Sequence, residues 1–228
     1  MRRNHRRVLA FGLPFAALSL MAAAGWQGAT RWRPSESAYA FQGVDVGAAQ
    51  GPVEWFTLRD QHVDFAYLTA TRAARERDPA FETNWAGVYG AALRRGAIHV
   101  YSLCHRAIDQ GNNFNTTVPR TPDALPPAIL LDFQPDCPAR PDRNMLLGEL
   151  DALIAMIEGH SGKPVLLKLS AGFDRYYRVS EAIARPIWAI GNFFPPGYAA
   201  RPWRMWQASD MRRIEGVAQP VRWNVVAP

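Results

Sequence analysis

The sequence is short of the features that define several large functional classes. Its 228 residues contain two cysteines and five histidines, and His99 has no partner at metal-ligand spacing, so neither a metal nor any other cofactor is expected. There is no internal repeat and no low-complexity segment, which excludes a solenoid or an extended array. Beyond residue 40 no basic run is longer than a pair. Arg2, Arg3, Arg6, Arg7, Arg31 and Arg33 against Glu36 account for five of the six net positive charges. The basicity therefore belongs to the start of the chain, and nucleic acid is excluded as a partner. At 48% hydrophobic and 11% aromatic residues, with eight tryptophans, the remainder is rich enough to fold around a full core.

What is present begins with a leader. Met1 to Arg7 is basic, and Val8 to Ala24 is apolar apart from Gly12, Pro14 and Ser19. That pattern reads as a secretory signal or an uncleaved anchor, and it would be the chain's one attachment to a membrane. Cleavage could follow Ala24, or Ala40 after the triplet Ala38-Tyr39-Ala40. Arg6-Arg7 is a weak twin-arginine signal. The expected organisation is a leader and short linker over 1–40 and one domain over 41–228, exported to a periplasm or cell surface and monomeric.

Within that domain, short apolar runs alternate with amphipathic ones. Strands are expected at 41–46, 63–68, 97–102, 128–133, 165–169, 187–191, 204–207 and 223–226. Helices are expected at 55–60, from Asp78-Pro79 to a Gly96 cap, at 107–118 and at 144–160. Alternation at this spacing predicts a mainly parallel sheet closed into a compact, trimmed β/α barrel. The run Leu125 to Cys137 is central. Ala128 to Phe133 reads as a strand buried on both faces, with a single acid, Asp132, at the C-terminal end where such folds place their sites.

An ordered set of motifs then resembles glycoside hydrolase family 25, the lysozyme-type muramidases. The set comprises Gly43-Val44-Asp45-Val46 with Gln50-Gly51 and Trp55, Phe65-Ala66-Tyr67, Asp78-Pro79-Ala80-Phe81 with Asn84-Trp85, and Leu93-Arg94-Arg95-Gly96-Ala97 with His99. It continues through Leu125-Pro126-Pro127, Ile187-Trp188-Ala189, Trp206-Gln207 with Ser209, Gly216 and Asn224. The resemblance implies a flattened, irregular, TIM-like barrel that cleaves between N-acetylmuramic acid and N-acetylglucosamine in peptidoglycan without a metal. It also implies carboxylates at strand ends, one of them a general acid.

Asp45 stands at the family's first-strand Asp. On the fourth strand the family reads Asp-x-Glu, and two registers are open. One puts Gln134 at the acid. The other, counted from Leu125-Pro126-Pro127 without a gap and preferred here, puts Leu130 at the Asp and Asp132 at the acid. Asp132 is then one methylene short, roughly 1.5 Å of reach, which can cost on the order of 100-fold in rate. Other departures are Ala49 for a His, Thr69 and Arg72 for a Lys and a Glu, Ile98 for a Tyr, and Arg222 for an Asp. The cleft has lost acids and gained arginines.

The expected site is therefore Asp132 and Asp45 for catalysis, with Tyr67, Thr69, Arg72, Tyr101, Trp188, Trp206, Gln207 and Arg222 for the glycan. Three readings follow: a working muramidase, a member that binds peptidoglycan with weak or lost hydrolysis, and an exported scaffold holding a different, anionic ligand. The second is preferred, since Arg72 and Arg222 close to Asp132 would favour its ionised form. Cys104 and Cys137 are expected to form a disulfide in an exported chain, Asp78 to cap its helix, and His99 to be a hydrogen-bonded strand-end side chain.

Overall fold

The computed structural model describes residues 18–228. Its centre is a closed barrel of eight strands: β1 (Gln42–Val46), β2 (Phe65–Arg72), β4 (Arg94–Val100), β5 (Ala128–Leu131), β6 (Leu166–Leu169), β7 (Ile187–Ile190), β8 (Met205–Arg212) and β9 (Val221–Val226). They pair in that circular order, β9 closing back on β1. Seven are parallel and β9 is antiparallel to both neighbours. A two-residue strand, β3 (Glu76–Arg77), hangs on the end of β2.

Strand parity divides the core in two. Val44, Val46, Ile129, Leu131, Leu167, Leu169 and Ala189 face the surrounding helices. Phe65, Tyr67, Ile98, Ala128, Leu166, Trp188 and Met205 fill the barrel. Because both faces are covered, β5 and β7 read as unbroken apolar runs. Gly96 lets the Tyr67 ring lie across the interior, since a Cβ there would come within 2.3 Å of it.

The helices are α2 (Trp55–Asp60), α3 (Phe81–Gly90), α4 (Ala107–Thr117), α5 (Arg143–Ser161), α6 (Ala171–Tyr177) and α7 (Val179–Ala182). The expectation for the helix after Asp78 is corrected in two respects. It starts at Phe81 with Ala80 at its cap, and it stops at Gly90, so Gly96 lies within β4. Asp78 instead bridges, accepting from the N–H of Ala80 at 2.9 Å and of Ala48 at 2.8 Å. It thereby ties the loop after β1 to the loop after β3. Asp142 caps α5 through the N–H of Met145, at 3.0 Å. Cys104 and Cys137 are joined as a disulfide, with 5.8 Å between their Cα atoms, linking the loops that follow β4 and β5.

Before the barrel, residues 18–31 are helical (α1) and exposed up to residue 28. None of the described helices is long and apolar enough to cross a membrane. The Val8 to Ala24 run lies largely outside the described residues. From Thr30 the chain packs on the barrel. Thr30 is buried and its carbonyl accepts from the N–H of Arg213 at 2.7 Å. Trp32 and Tyr39 stack on Trp206 with ring centroids 6.3 and 5.8 Å away.

Candidate active site

The C-terminal ends of the parallel strands form a mouth whose floor is ionic. Asp45 on β1 is fully buried. Lys168 on β6 donates from Nζ to Asp45 Oδ2 at 2.6 Å, and Asn224 on β9 donates to the same oxygen at 3.1 Å. Arg222, also on β9 and in register with Asp45, donates from Nε to Oδ1. Trp188 completes the cluster. Its indole N–H donates to Asn224 Oδ1 at 3.1 Å, and its ring lies 4.2 Å below Lys168 Nζ.

Strand parity explains why the cluster forms. Lys168 is the only polar residue of β6, flanked by Leu167 and Leu169, which point to the helices. It must point inward, where a buried ammonium requires a partner. Burial alone would raise the pKa of Asp45, but the charges of Arg222 and Lys168 outweigh it and hold the carboxyl below its ordinary value. Burial brings Lys168 down to about 8 despite Asp45, and the Arg222 charge pushes the same way. One carboxylate on the floor is thus shared by two basic side chains.

Asp132 stands above, one residue past β5. Its Oδ1 accepts from the Ser170 hydroxyl at 2.7 Å and from the N–H of Phe133 at 2.9 Å. Ser170 also caps α6, accepting from the N–H of Phe173 at 3.2 Å, so the helix start and the carboxylate fix each other. Among the described residues, no side chain or backbone group donates to Asp132 Oδ2. The expectation that arginines would sit on Asp132 is corrected: Arg222 is held by Asp45 and Arg72 by Asp136. Gln134 is half-buried and donates to the Asp132 carbonyl at 3.3 Å.

Of the expected glycan contacts, Trp188 and Arg222 belong to the floor cluster. Gln207 is buried next to it, in register with Asn224. Thr69 lines the loop above Asp45, where a Cβ on Gly47 would come within 3.1 Å of it. Arg72 is on the rim. Three others lie elsewhere. Tyr67 is inside the barrel, but its hydroxyl donates to the Pro126 carbonyl at 2.9 Å, at the opposite end. Tyr101 and Trp206 pack on the helix-facing side of the sheet, Trp206 donating to the Gly191 carbonyl at 2.6 Å. His99 is buried outside the mouth. It accepts at Nδ1 from Thr71 (2.8 Å) and donates from Nε2 to Gln110 (3.2 Å), and burial lowers its pKa to about 4.

Sequence reasoning allows Lys168 either to line the groove or to snorkel from it, and leaves out Ser170 and two exposed aromatics. Tyr176, on α6, is 60% exposed and packs on Phe133 beside Asp132. Phe194, in the loop after β7, is 78% exposed and follows Phe193, whose φ is +68°. An exposed ring beside a strand-end carboxylate, as Tyr176 is, is suited to stacking on a sugar.

Comparison with known proteins agrees with this architecture. The model of the family "Glycosyl hydrolases family 25" matches residues 44–217. A family 25 glycosyl hydrolase from Bacillus anthracis superposes with a TM-score of 0.77 at 29% identity, covering 86% of this chain and 92% of that one. The bacterial lysozyme of Streptomyces coelicolor superposes at 0.74, with 22% identity over 82% of this chain and 91% of that one, which shows a shared fold. In sequence, the uncharacterized protein YegX of Escherichia coli K12 is 26% identical over 196 residues, 83% of this chain and 70% of its own length. Together with the barrel and its strand-end carboxylates, the match places the chain in glycosyl hydrolase family 25.

Proposed function

We propose that this chain is an exported, peptidoglycan-directed member of its family that holds a glycan strand in the barrel mouth and has lost most of its hydrolytic power. The observation that carries this reading is the ionic floor. Glycoside hydrolysis passes through an oxocarbenium-like transition state and draws on two carboxyl groups, one to protonate the leaving oxygen and one to oppose the positive charge. Asp45 cannot protonate anything, because two cations keep it ionised. Nor does it offer an unopposed negative charge, since Lys168 and Arg222 both bind it.

Asp132 is then the general acid that remains, on an aspartate stem shorter than a glutamate. Glycan binding needs neither a proton donor nor a negative floor. It needs rings to stack on and polar groups to meet hydroxyls, and Tyr176, Thr69 and Gln134 supply these near Asp132 and Asp45. Export rests on the basic, apolar leader, and the packing of Thr30 to Tyr39 favours Ala24 over Ala40 as its end. Incubation of the protein with purified peptidoglycan tests the reading. The expected result is retention on the pellet with little release of muropeptides, and retention unchanged by Asp132→Asn. Absence of both retention and release would remove peptidoglycan as the ligand.

A further inference from the structure

The floor has a property that a glycan-binding reading alone does not use. Arg222 spends only Nε on Asp45, and its side chain is 34% exposed. Among the described residues its two terminal nitrogens have no hydrogen-bond acceptor. The other acid that contributes to its field, Asp210, accepts from Asn192 Nδ2 at 2.8 Å. Lys168 lies buried behind it, and the two cations share Asp45. The result is a planar fork at the strand ends with its terminal nitrogens unspent and a lysine behind it. A guanidinium in this state pairs two parallel N–H groups with a carboxylate.

We infer that Arg222 makes the mouth selective for saccharides that carry a free carboxylate, which it binds through its outward-facing guanidinium edge. This rests on the glycan reading and narrows it. In peptidoglycan, such a group is the lactyl carboxylate of a muramoyl residue that has lost its peptide. When the peptide is attached, that carboxyl is an amide and has no charge to offer. A uronic acid would present the same chemistry from a different polymer.

The test is calorimetric titration of the full-length protein with a peptide-free N-acetylglucosaminyl-N-acetylmuramoyl tetrasaccharide, its methyl ester, chitotetraose and tetragalacturonate. A charge-assisted pairing predicts that the acid binds about 10- to 100-fold more tightly than its ester, with the preference shrinking as salt rises. In Arg222→Gln the acid-to-ester ratio should fall to about one. Arg222→Lys, which keeps the charge without the fork, should give an intermediate ratio. Should Arg222→Gln fail to fold, the acid-against-ester comparison on the unaltered protein still decides. Equal binding of acid and ester, or a preference that survives Arg222→Gln, overturns the inference and leaves glycan binding standing. No binding of any saccharide overturns both. Tighter binding of tetragalacturonate than of the muramoyl acid supports carboxylate selectivity but rejects peptidoglycan as its source.

Discussion

The floor and the rim of this barrel use their carboxylates in opposite ways. Asp45, at the floor, is fully buried, meets Lys168, Arg222 and Asn224, and is bound on both oxygens. Asp132, at the rim, is half-buried and is held on one oxygen by Ser170 and its own backbone neighbour. The first is committed to structure, because a buried ion is tolerated only while its partners stay. The second is still free to meet a ligand. What surrounds a strand-end carboxylate therefore decides whether it serves the structure or stays open to a ligand.

Substitution of the two acids separates these roles most sharply. Asp45→Asn leaves Lys168 and Arg222 facing each other without a counter-charge, and should cost about 3–5 kcal/mol in urea denaturation. Asp132→Asn should change stability by less than about 1 kcal/mol. Comparable losses from the two variants would erase the distinction.

Acid should expose a second buried commitment, outside the mouth. His99 has a folded pKa of about 4 against an ordinary 6.5. Between those values the unfolded chain takes up a proton that the folded chain does not, so stability is complete above pH 6.5 and falls as pH drops towards 4. Full burial makes the loss roughly 3 kcal/mol. Thermal melts across that range should show it, and His99→Gln should flatten the slope.

The third contrast concerns the approach to the barrel. A protein starting at residue 25 keeps the packing of Trp32 and Tyr39 against Trp206, whereas one starting at 41 loses it. Each aromatic contributes roughly 1.5–3 kcal/mol of burial when fully covered. Both are only partly buried, so the shorter protein should be less stable by about 2 kcal/mol. Equal melting temperatures would mean that residues 30–40 only rest on the barrel.

Much of this fold can be read from the residues. The unbroken apolar runs at Ala128–Leu131 and Ile187–Ile190 announce strands buried on both faces, and the Asn144 to His160 periodicity lies within the helix found at Arg143–Ser161. The antiparallel return of β9 was harder to see, because parity is the same for either direction. Helix α6 was missed since its Phe173, Tyr176 and Tyr177 are aromatic, with weak helix propensity, and only Ser170 marks its start.

The site was partly legible. Trp206 and Gln207 are adjacent in a strand and cannot both face the mouth, so one of the two was bound to point to the helices. Lys168, alone in an apolar strand, reads equally as lining the groove or snorkelling from it, because its partner Asp45 is 123 residues away in the sequence. That Arg222 would choose Asp45 over Asp132 was not legible. It depends on a cross-strand register, Asp45 opposite Arg222, which no local pattern encodes.

On the proposed reading, the cations on the floor and the shortened acid, rather than a missing fold, suppress hydrolysis. Reducing-end muramic acid released from purified peptidoglycan should be measured for the unaltered protein and for the triple variant Leu130→Asp, Asp132→Glu, Arg222→Asp. Release near background is expected for the first and at least about tenfold more for the second. Rapid release by the unaltered protein, abolished by Asp132→Asn, would contradict that reading and establish a working muramidase with an aspartate as its acid.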